Sequence, residues 1–124
     1  MENNKGLGLH QIEKSFNKKI DESRTKFVTK SLRCGNRIEF KGSIVIIGDV
    51  NAGSEVIAEE NIIIFGNLRG LAHAGAKGNK RAIIVANNID TKQLRIADII
   101  KEIEQKPEAT VTKAYVEGKE IVLE

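Results

Sequence analysis

The chain has 124 residues, of which 40% are hydrophobic and 30% are charged, a composition typical of one soluble domain with a single core. Its 20 basic and 17 acidic residues give a net charge of +3, and because the two signs are interspersed, no nucleic-acid partner is indicated. A single cysteine and the absence of a signal-peptide core predict a reducing, cytoplasmic location. No apolar run reaches the roughly 20 residues of a membrane helix, so any membrane contact is expected to be indirect.

Residues 1–26 are polar and charge-rich, with apolar residues spaced along one side of a helix at Leu9, Ile12, Phe16 and Ile20. Such a stripe suits either a partner-binding helix or a linker that caps the open end of a domain. The second interpretation is favoured, because the repeats that begin after residue 26 predict a solenoid, and a solenoid needs its ends covered. We therefore predict a linker or capping segment over residues 1–26 and a folded domain over residues 27–124.

From residue 27 the sequence repeats. Residues 44–50 (IVIIGDV) align with residues 62–68 (IIIFGNL) at a displacement of 18, and residues 27–32 take the same frame 18 positions earlier. Residues 82–87 fit at a displacement of 20, with the extra residues placed in the loop 75–79. The sequence thus predicts four copies of one unit.

A repeat of 18 to 20 residues is too short for two helices or a propeller blade, but it suits one turn of a β-helix built from three short strands. The glycines that follow each apolar run supply the corners. The predicted fold class is all-β, a parallel β-helix or short β-solenoid, with a polar N-terminal extension that has helical spacing.

Strand alternation assigns the residues of each run to two sides. Predicted to stack inward are Ile44, Ile46, Ile62, Ile64 and Ile84. Predicted to point outward are Val45, Ile47, Ile63, Phe65, Ile83 and Val85. This outer face is too apolar for a solvated surface, and a second copy of the same chain is its simplest cover. A homodimer is therefore expected.

The last part of the chain is ambiguous. Residues 93–104 alternate like a strand at first and then follow helical spacing, so we predict a last strand followed by a turn or short helix. Pro107 ends this segment. Residues 109–117 and 120–123 flank Gly118-Lys119 and predict a closing hairpin.

Catalytic chemistry is poorly represented. His10, His73 and Cys34 lie in unrelated parts of the sequence, and neither a nucleophile with its base nor a set of metal ligands converges. We interpret Cys34 as a small structural side chain at a corner of the β-helix. Residues 69–79 are likewise interpreted as a tight, glycine-lined corner. We predict that the protein is not an enzyme and binds neither a cofactor nor a metal.

Polar residues cluster around the corners of the first two turns. In an 18-residue frame position 33 stacks on position 51 and position 31 on position 49, so Arg33 and Asp49 share one corner edge, about one coil spacing of 4.8 Å apart. With Arg37 and Asn51 nearby, the pair suits protein recognition. It equally suits a surface ion pair of little energetic weight.

Four stretches carry a family resemblance: residues 32–36 (LRCGN), 48–58 (GDVNAGSEVIA), 61–75 (NIIIFGNLRGLAHAG) and 93–98 (QLRIAD). In order and spacing they resemble the C-terminal domain of the MinC family of septum-site-determining proteins. The resemblance covers about residues 27–124, and its GDVNAG and LRGLAHAG stretches make it specific.

The resemblance implies a right-handed β-helix that dimerises through one flat face, binds the ATP-bound MinD ATPase and helps to position the division septum by antagonising FtsZ. The chain would then be cytoplasmic and recruited to the inner membrane only through MinD. Family members bind MinD through an Arg-Ser-Gly-Gln motif and the aspartate of a GDVN turn, which here are Arg33, Cys34, Gly35, Asn36 and Asp49. Arg69 matches a position implicated in contact with the FtsZ tail.

This chain departs from the family pattern in two respects. Cys34 and Asn36 stand where the motif has Ser and Gln, and the shorter reach of Asn36 predicts an altered affinity for MinD. The family also carries a separate N-terminal domain that inhibits FtsZ, which 26 residues cannot encode, so the sequence is expected to be either a fragment or a reduced variant. We therefore expect MinD-dependent targeting to persist and direct FtsZ inhibition to be weakened or lost.

Two other β-helical classes are alternatives. A bactofilin-like structural protein that polymerises end to end would share the glycine-punctuated coils, but it has no use for the LRGLAHAG corner or the Arg33 and Asp49 pair. A hexapeptide-repeat acyltransferase needs a six-residue subrepeat, which the 18-residue frame lacks.

Overall fold

The structure, a computed structural model, describes residues 25–103 and 110–124. The described part contains eleven strands and no helix, which confirms the all-β prediction. The strands are β1 (Thr25–Val28), β2 (Arg37–Phe40), β3 (Ser43–Ile47), β4 (Glu55–Ala58), β5 (Ile62–Leu68), β6 (Leu71–Ala74), β7 (Ile84–Ile89), β8 (Gln93–Ile96), β9 (Ile99–Glu102), β10 (Lys113–Glu117) and β11 (Glu120–Leu123).

Successive strands alternate between two sheets. The first sheet has the order β1-β3-β5-β7-β10-β11 and the second has the order β2-β4-β6-β8-β9. Neighbours up to β7 and β8 pair in parallel, so each turn of chain lies directly on the turn before it. On a third side the turns meet through single bridges that join Leu32 to Val50 and Val50 to Leu68. This winding is the predicted short β-solenoid.

The core consists of aliphatic columns that run along the axis of the solenoid. The five residues predicted to point inward, including Ile44, Ile62 and Ile84, are at most 1% exposed. On the third side Leu32, Val50 and Leu68 are equally buried. Each such side chain contributes about 1.5–3 kcal/mol when it leaves water, and this burial offsets the entropy of ordering many short strands.

The predicted displacement of 20 for the fourth copy is wrong. Strand pairing joins Ile62 to Ile84 and Ile63 to Val85, a displacement of 22 residues. On the second sheet Glu55 pairs with Leu71, a displacement of only 16. The corner after Leu68 is therefore shorter than the preceding one, and the loop after β6 is longer.

The C-terminal end of the solenoid is closed by antiparallel strands. β9 folds back on β8, and the turn between them includes Ala97, whose φ is +56°. The predicted last strand is confirmed, whereas residues 99–102 form a strand and not a helix. β10 pairs antiparallel with β7 and with β11, which confirms the closing hairpin around Gly118-Lys119.

Some predictions lie outside the described residues. The helical spacing at the N-terminus and His10 fall in residues 1–24, and Pro107 falls in residues 104–109. β1 begins at Thr25, two residues before the predicted domain boundary at residue 27.

Candidate partner-binding corner

Arg33, Cys34, Gly35 and Asn36 form one tight turn at the corner between β1 and β2. The Asn36 backbone N–H donates to the Arg33 carbonyl at 2.9 Å, and the Arg33 N–H donates to Asn36 Oδ1 at 2.8 Å. Gly35 has a φ of +90°, a conformation that residues with a Cβ rarely adopt. The four motif positions are therefore held together, with Asn36 closing the turn through its side chain.

This turn is stacked on the corresponding turn of the next coil. The Gly35 N–H donates to the Gly53 carbonyl at 2.9 Å, and the Glu55 N–H donates to the Asn36 carbonyl at 3.0 Å. A Cβ added at Gly53 would lie 2.6 Å from Cys34 Sγ. Cys34 thus occupies the space that the glycine beneath it leaves open, as the interpretation of Cys34 as a corner residue predicts, and its thiol remains exposed.

Asp49 is held by hydrogen bonds to both neighbouring coils. Its backbone N–H donates to Ser31 Oγ at 2.9 Å, and its carbonyl accepts the Leu32 N–H at 2.8 Å. Its carboxylate oxygen Oδ1 accepts the Asn67 backbone N–H at 2.7 Å and the Asn67 side-chain amide at 3.3 Å. The Asp49 carboxylate is therefore part of the structure of the corner as well as a charge on its surface.

Arg33 and Asp49 lie on the predicted corner edge, because Leu32 bridges to Val50 and Ser31 stacks on Asp49. The ion pairs between described residues do not include one between them. Arg37, predicted to join them, instead pairs with Glu39 at 3.1 Å and Glu55 at 3.8 Å on the second sheet. Within the described residues, the exposed Arg33 guanidinium has no carboxylate partner and is available to another protein. We call Arg33–Asn36 together with Asp49 the recognition corner.

Arg69 lies one coil beyond Asp49 on the same side, since Val50 bridges to Leu68. Its backbone N–H donates to the Val50 carbonyl at 2.8 Å, and its side chain is exposed. It borders a shallow groove of about 570 Å³ that is also lined by Gly53, Glu55, Asp90 and Lys92. The structure therefore places Arg69 at the edge of an open groove between successive coils.

His73 has a structural partner. Its Nε2 lies 2.8 Å from the Ala97 carbonyl and donates to it, which ties β6 to the turn between β8 and β9. Among the described residues no three His, Cys, Asp or Glu side chains converge in a way that could hold a metal ion.

The outer side of the first sheet carries the predicted apolar face, and the structure adds Phe27 of β1 to the predicted residues. Phe27, Ile47 and Phe65 expose 64%, 50% and 58% of their surface. Val45 pairs with Phe27 and with Ile63 in the middle of this side, and it is only 8% exposed although it lies outside the inner core. We use the term apolar face for Phe27, Val45, Ile47, Ile63, Phe65, Ile83 and Val85.

Asn67 belongs to this corner because it donates to the Asp49 carboxylate, although the sequence did not lead us to predict it as a site residue. The repeat aligns it with Asp49, so an available signal was the polar ladder at positions 31, 49 and 67. Gly66 has a related role, because a Cβ there would collide with the Gly48 carbonyl and lie 2.7 Å from Asp49 Oδ1. The described part of the chain contains no helix that is long and apolar enough to cross a membrane.

Comparison with known proteins gives a consistent result. The family model of the septum formation inhibitor MinC, C-terminal domain, matches residues 26–124. The probable septum site-determining protein MinC of Acetivibrio thermocellus is 51% identical over 83 residues, which are 67% of this chain and 37% of the relative. That of Persephonella marina is 40% identical over 129 residues, covering 98% of this chain and 65% of the relative.

A solved structure is also similar. A chain in the MinC:MinD cell division protein complex of Aquifex aeolicus superposes with a TM-score of 0.77 at 41% identity, covering 82% of this chain and 86% of that chain. The present chain spans less than two thirds of the length of either curated relative. From residue 26 to residue 124, the chain belongs to the family of the septum formation inhibitor MinC, C-terminal domain.

Proposed function

We propose that this chain is a non-enzymatic cell-division regulator that binds ATP-bound MinD through the recognition corner and helps to position the division septum. The observation that carries the proposal is the corner itself, where a fixed Asp49 carboxylate and an Arg33 guanidinium that is paired with no carboxylate of residues 25–103 or 110–124 lie on stacked turns. The related chain in the solved complex supports MinD as the partner. Recruitment to the inner membrane would then occur through MinD.

The same proposal includes self-association and contact with FtsZ. The exposed apolar face supports a homodimer, because side chains such as Phe65 would leave water there. Arg69 and its adjoining groove are the proposed contact for the FtsZ tail. Residues 1–26 are proposed as a linker or cap for the domain that follows.

The bactofilin-like alternative is not favoured. End-to-end polymerisation of solenoids needs a terminal coil whose parallel strands can pair with those of the next molecule. Here β9 and β11 run antiparallel to their neighbours at the C-terminal end, so the parallel stacking does not continue there. The specific family match agrees with this reasoning.

Retention on immobilised MinD from the same organism, loaded with ATP or ADP, tests the partner. Wild type should be retained with ATP, and Arg33→Ala and Asp49→Asn should lose retention while remaining folded. Asp49→Asn is the suitable change because Asn keeps an oxygen that can accept the Asn67 N–H, so that only the charge is removed.

Arg37→Ala is the matched control, because Arg37 is an exposed arginine four positions along that is paired on the second sheet. It should bind MinD like wild type. Absence of wild-type retention with ATP would refute the partner. Equal losses in Arg33→Ala and Arg37→Ala would refute the assignment to the corner.

A further inference from the structure

The Asp49 carboxylate depends for its orientation on the next coil, the one that contains Asn67. Oδ1 receives two N–H donors from a single residue, the backbone N–H of Asn67 at 2.7 Å and the Asn67 side-chain amide at 3.3 Å. Asn67 and Asp49 are both half-buried. Two donors on one oxygen restrict rotation of the carboxylate about its terminal bond. The second oxygen, Oδ2, accepts no hydrogen bond from the described residues and can accept one from a partner.

The rest of the corner removes the remaining freedom of Asp49. Ser31 Oγ accepts its backbone N–H, and the space beside its carboxylate exists because residue 66 is glycine. Of these three residues, only Asn67 contacts the Asp49 carboxylate through its side chain. Ser31 bonds to the backbone of Asp49, and Gly66 leaves space because it has no side chain.

We propose that Asn67 is a positioning residue for partner binding, which holds the Asp49 carboxylate in the orientation that MinD recognises. The inference rests on the proposed function of the recognition corner. It extends the partner site by one coil, to a residue outside the four-residue motif and the GDVN turn.

The test measures the affinity of the full chain for ATP-loaded MinD. Asn67→Asp keeps the shape of the side chain but replaces the amide donor with an acceptor that repels Asp49. Because a charge-assisted hydrogen bond is exchanged for like-charge repulsion, the dissociation constant should rise about tenfold. Asn67→Ala removes the amide donor without adding charge and should give a smaller loss, about threefold.

Asn88 provides a matched control. It pairs with Asn67 in strand register, is also half-buried, and lies one coil farther from Asp49. Asn88→Asp adds the same charge to the same side and should leave the dissociation constant within about twofold of wild type. If Asn88→Asp weakens binding as much as Asn67→Asp, the effect is one of general charge and the positioning proposal is wrong.

A spectroscopic measurement separates positioning from loss of structure. The backbone amide proton of residue 67 donates to the Asp49 carboxylate, so its resonance should move upfield in Asn67→Asp and stay in place in Asn88→Asp, with the other amide resonances of the solenoid retained. Asn67→Gln, which keeps an amide donor, should recover part of the affinity lost in Asn67→Ala.

The outcomes distinguish the two proposals. If wild type does not bind MinD, the proposed function itself fails. If wild type binds and Asp49→Asn does not, but Asn67→Asp and Asn67→Ala both bind within twofold of wild type, the partner site stands and the role of Asn67 is overturned. If Asn67→Asp does not fold, Asn67→Ala decides the question alone.

Discussion

The apolar face and the recognition corner are two surfaces of one solenoid that are built by different physics. The apolar face arises from strand alternation and spreads over four coils, with no single atom in a required place. The recognition corner depends on individual hydrogen bonds between coils, such as the 2.7 Å bond from Asn67 to Asp49. The apolar face is therefore defined by its area and the recognition corner by its geometry, so substitutions should affect the two surfaces in different ways.

The largest expected effect is the loss of the proposed homodimer in Ile47→Glu. A carboxylate placed among the side chains of the apolar face would be buried without a partner, so the dimer dissociation constant should rise by at least about 100-fold. Light scattering over a dilution series measures the change in mass.

Ile100→Glu is the control for that change. Ile100 is 50% exposed, as Ile47 is, but it pairs with Arg95 on the outer side of the second sheet. Its substitution should leave the dimer intact. If Ile100→Glu is monomeric and Ile47→Glu is not, the dimer interface lies on the second sheet and the assignment to the apolar face is wrong.

An intermediate effect is expected for the stability of the corner. Asp49→Ala leaves the half-buried Asn67 N–H without its acceptor, and it should lower the free energy of unfolding by about 1–3 kcal/mol. Asp49→Asn keeps an acceptor and should cost less than about 1 kcal/mol. Urea unfolding measures the free energy of unfolding of both variants. Equal decreases would show that the hydrogen bond to the residue 49 side-chain oxygen does not stabilise the fold.

The smallest effect concerns the closing hairpin, whose strand β10 pairs with β7 beside the last coil of the apolar face. The hydrogen bond that Tyr115 Oη donates to the Glu124 carboxylate at 3.1 Å, together with partial burial and the charges of Glu124 and Glu117, raises the pKa of Tyr115 above its usual value of 10.0. Because the folded state holds this proton more tightly, the contribution to stability is complete below pH 10 and is lost as the pH rises through the folded-state pKa.

Tyr115→Phe should therefore lower stability slightly at pH 7 to 9 and have less effect above pH 10. Thermal unfolding at several pH values measures this difference. A variant whose destabilisation grows above pH 10 would contradict the sign of the shift.

Much of the fold could be predicted because β-alternation and an 18-residue frame leave few alternatives. The frame correctly placed Ile44 over Ile62 and assigned Phe65 to the outside. The displacement to the next coil was wrong by two residues at Ile62–Ile64 and, after a β-bulge, by one residue at Asn67 and Leu68. Alternation could not reveal the shift of two. A shift of two returns every side chain to the same side of the strand, so Ile84 is inward in either register.

Other features depend on contacts that a sequence pattern does not contain. β9 has apolar residues at helical spacing, and the turn before it contains Ala97 at a positive φ where glycine or asparagine is the usual signal. The positions of Arg33 and Asp49 followed from stacking, but the bond between Asn67 and the Asp49 carboxylate depends on a side-chain rotamer that the sequence does not specify. The assignment of the corner to MinD remains a prediction for the retention assay.

The loop between β6 and β7 offers a means of observing this protein at work. Residues 77–81 are exposed, and the space beside Gly78 is open to 4 Å, although its φ of +109° requires that the glycine itself be kept. Since the coil already accommodates several extra residues here without disturbing its inner columns, a short epitope or fluorophore-binding peptide inserted at Gly78 should leave both surfaces accessible. Such a label would allow the location of the chain to be followed in dividing cells.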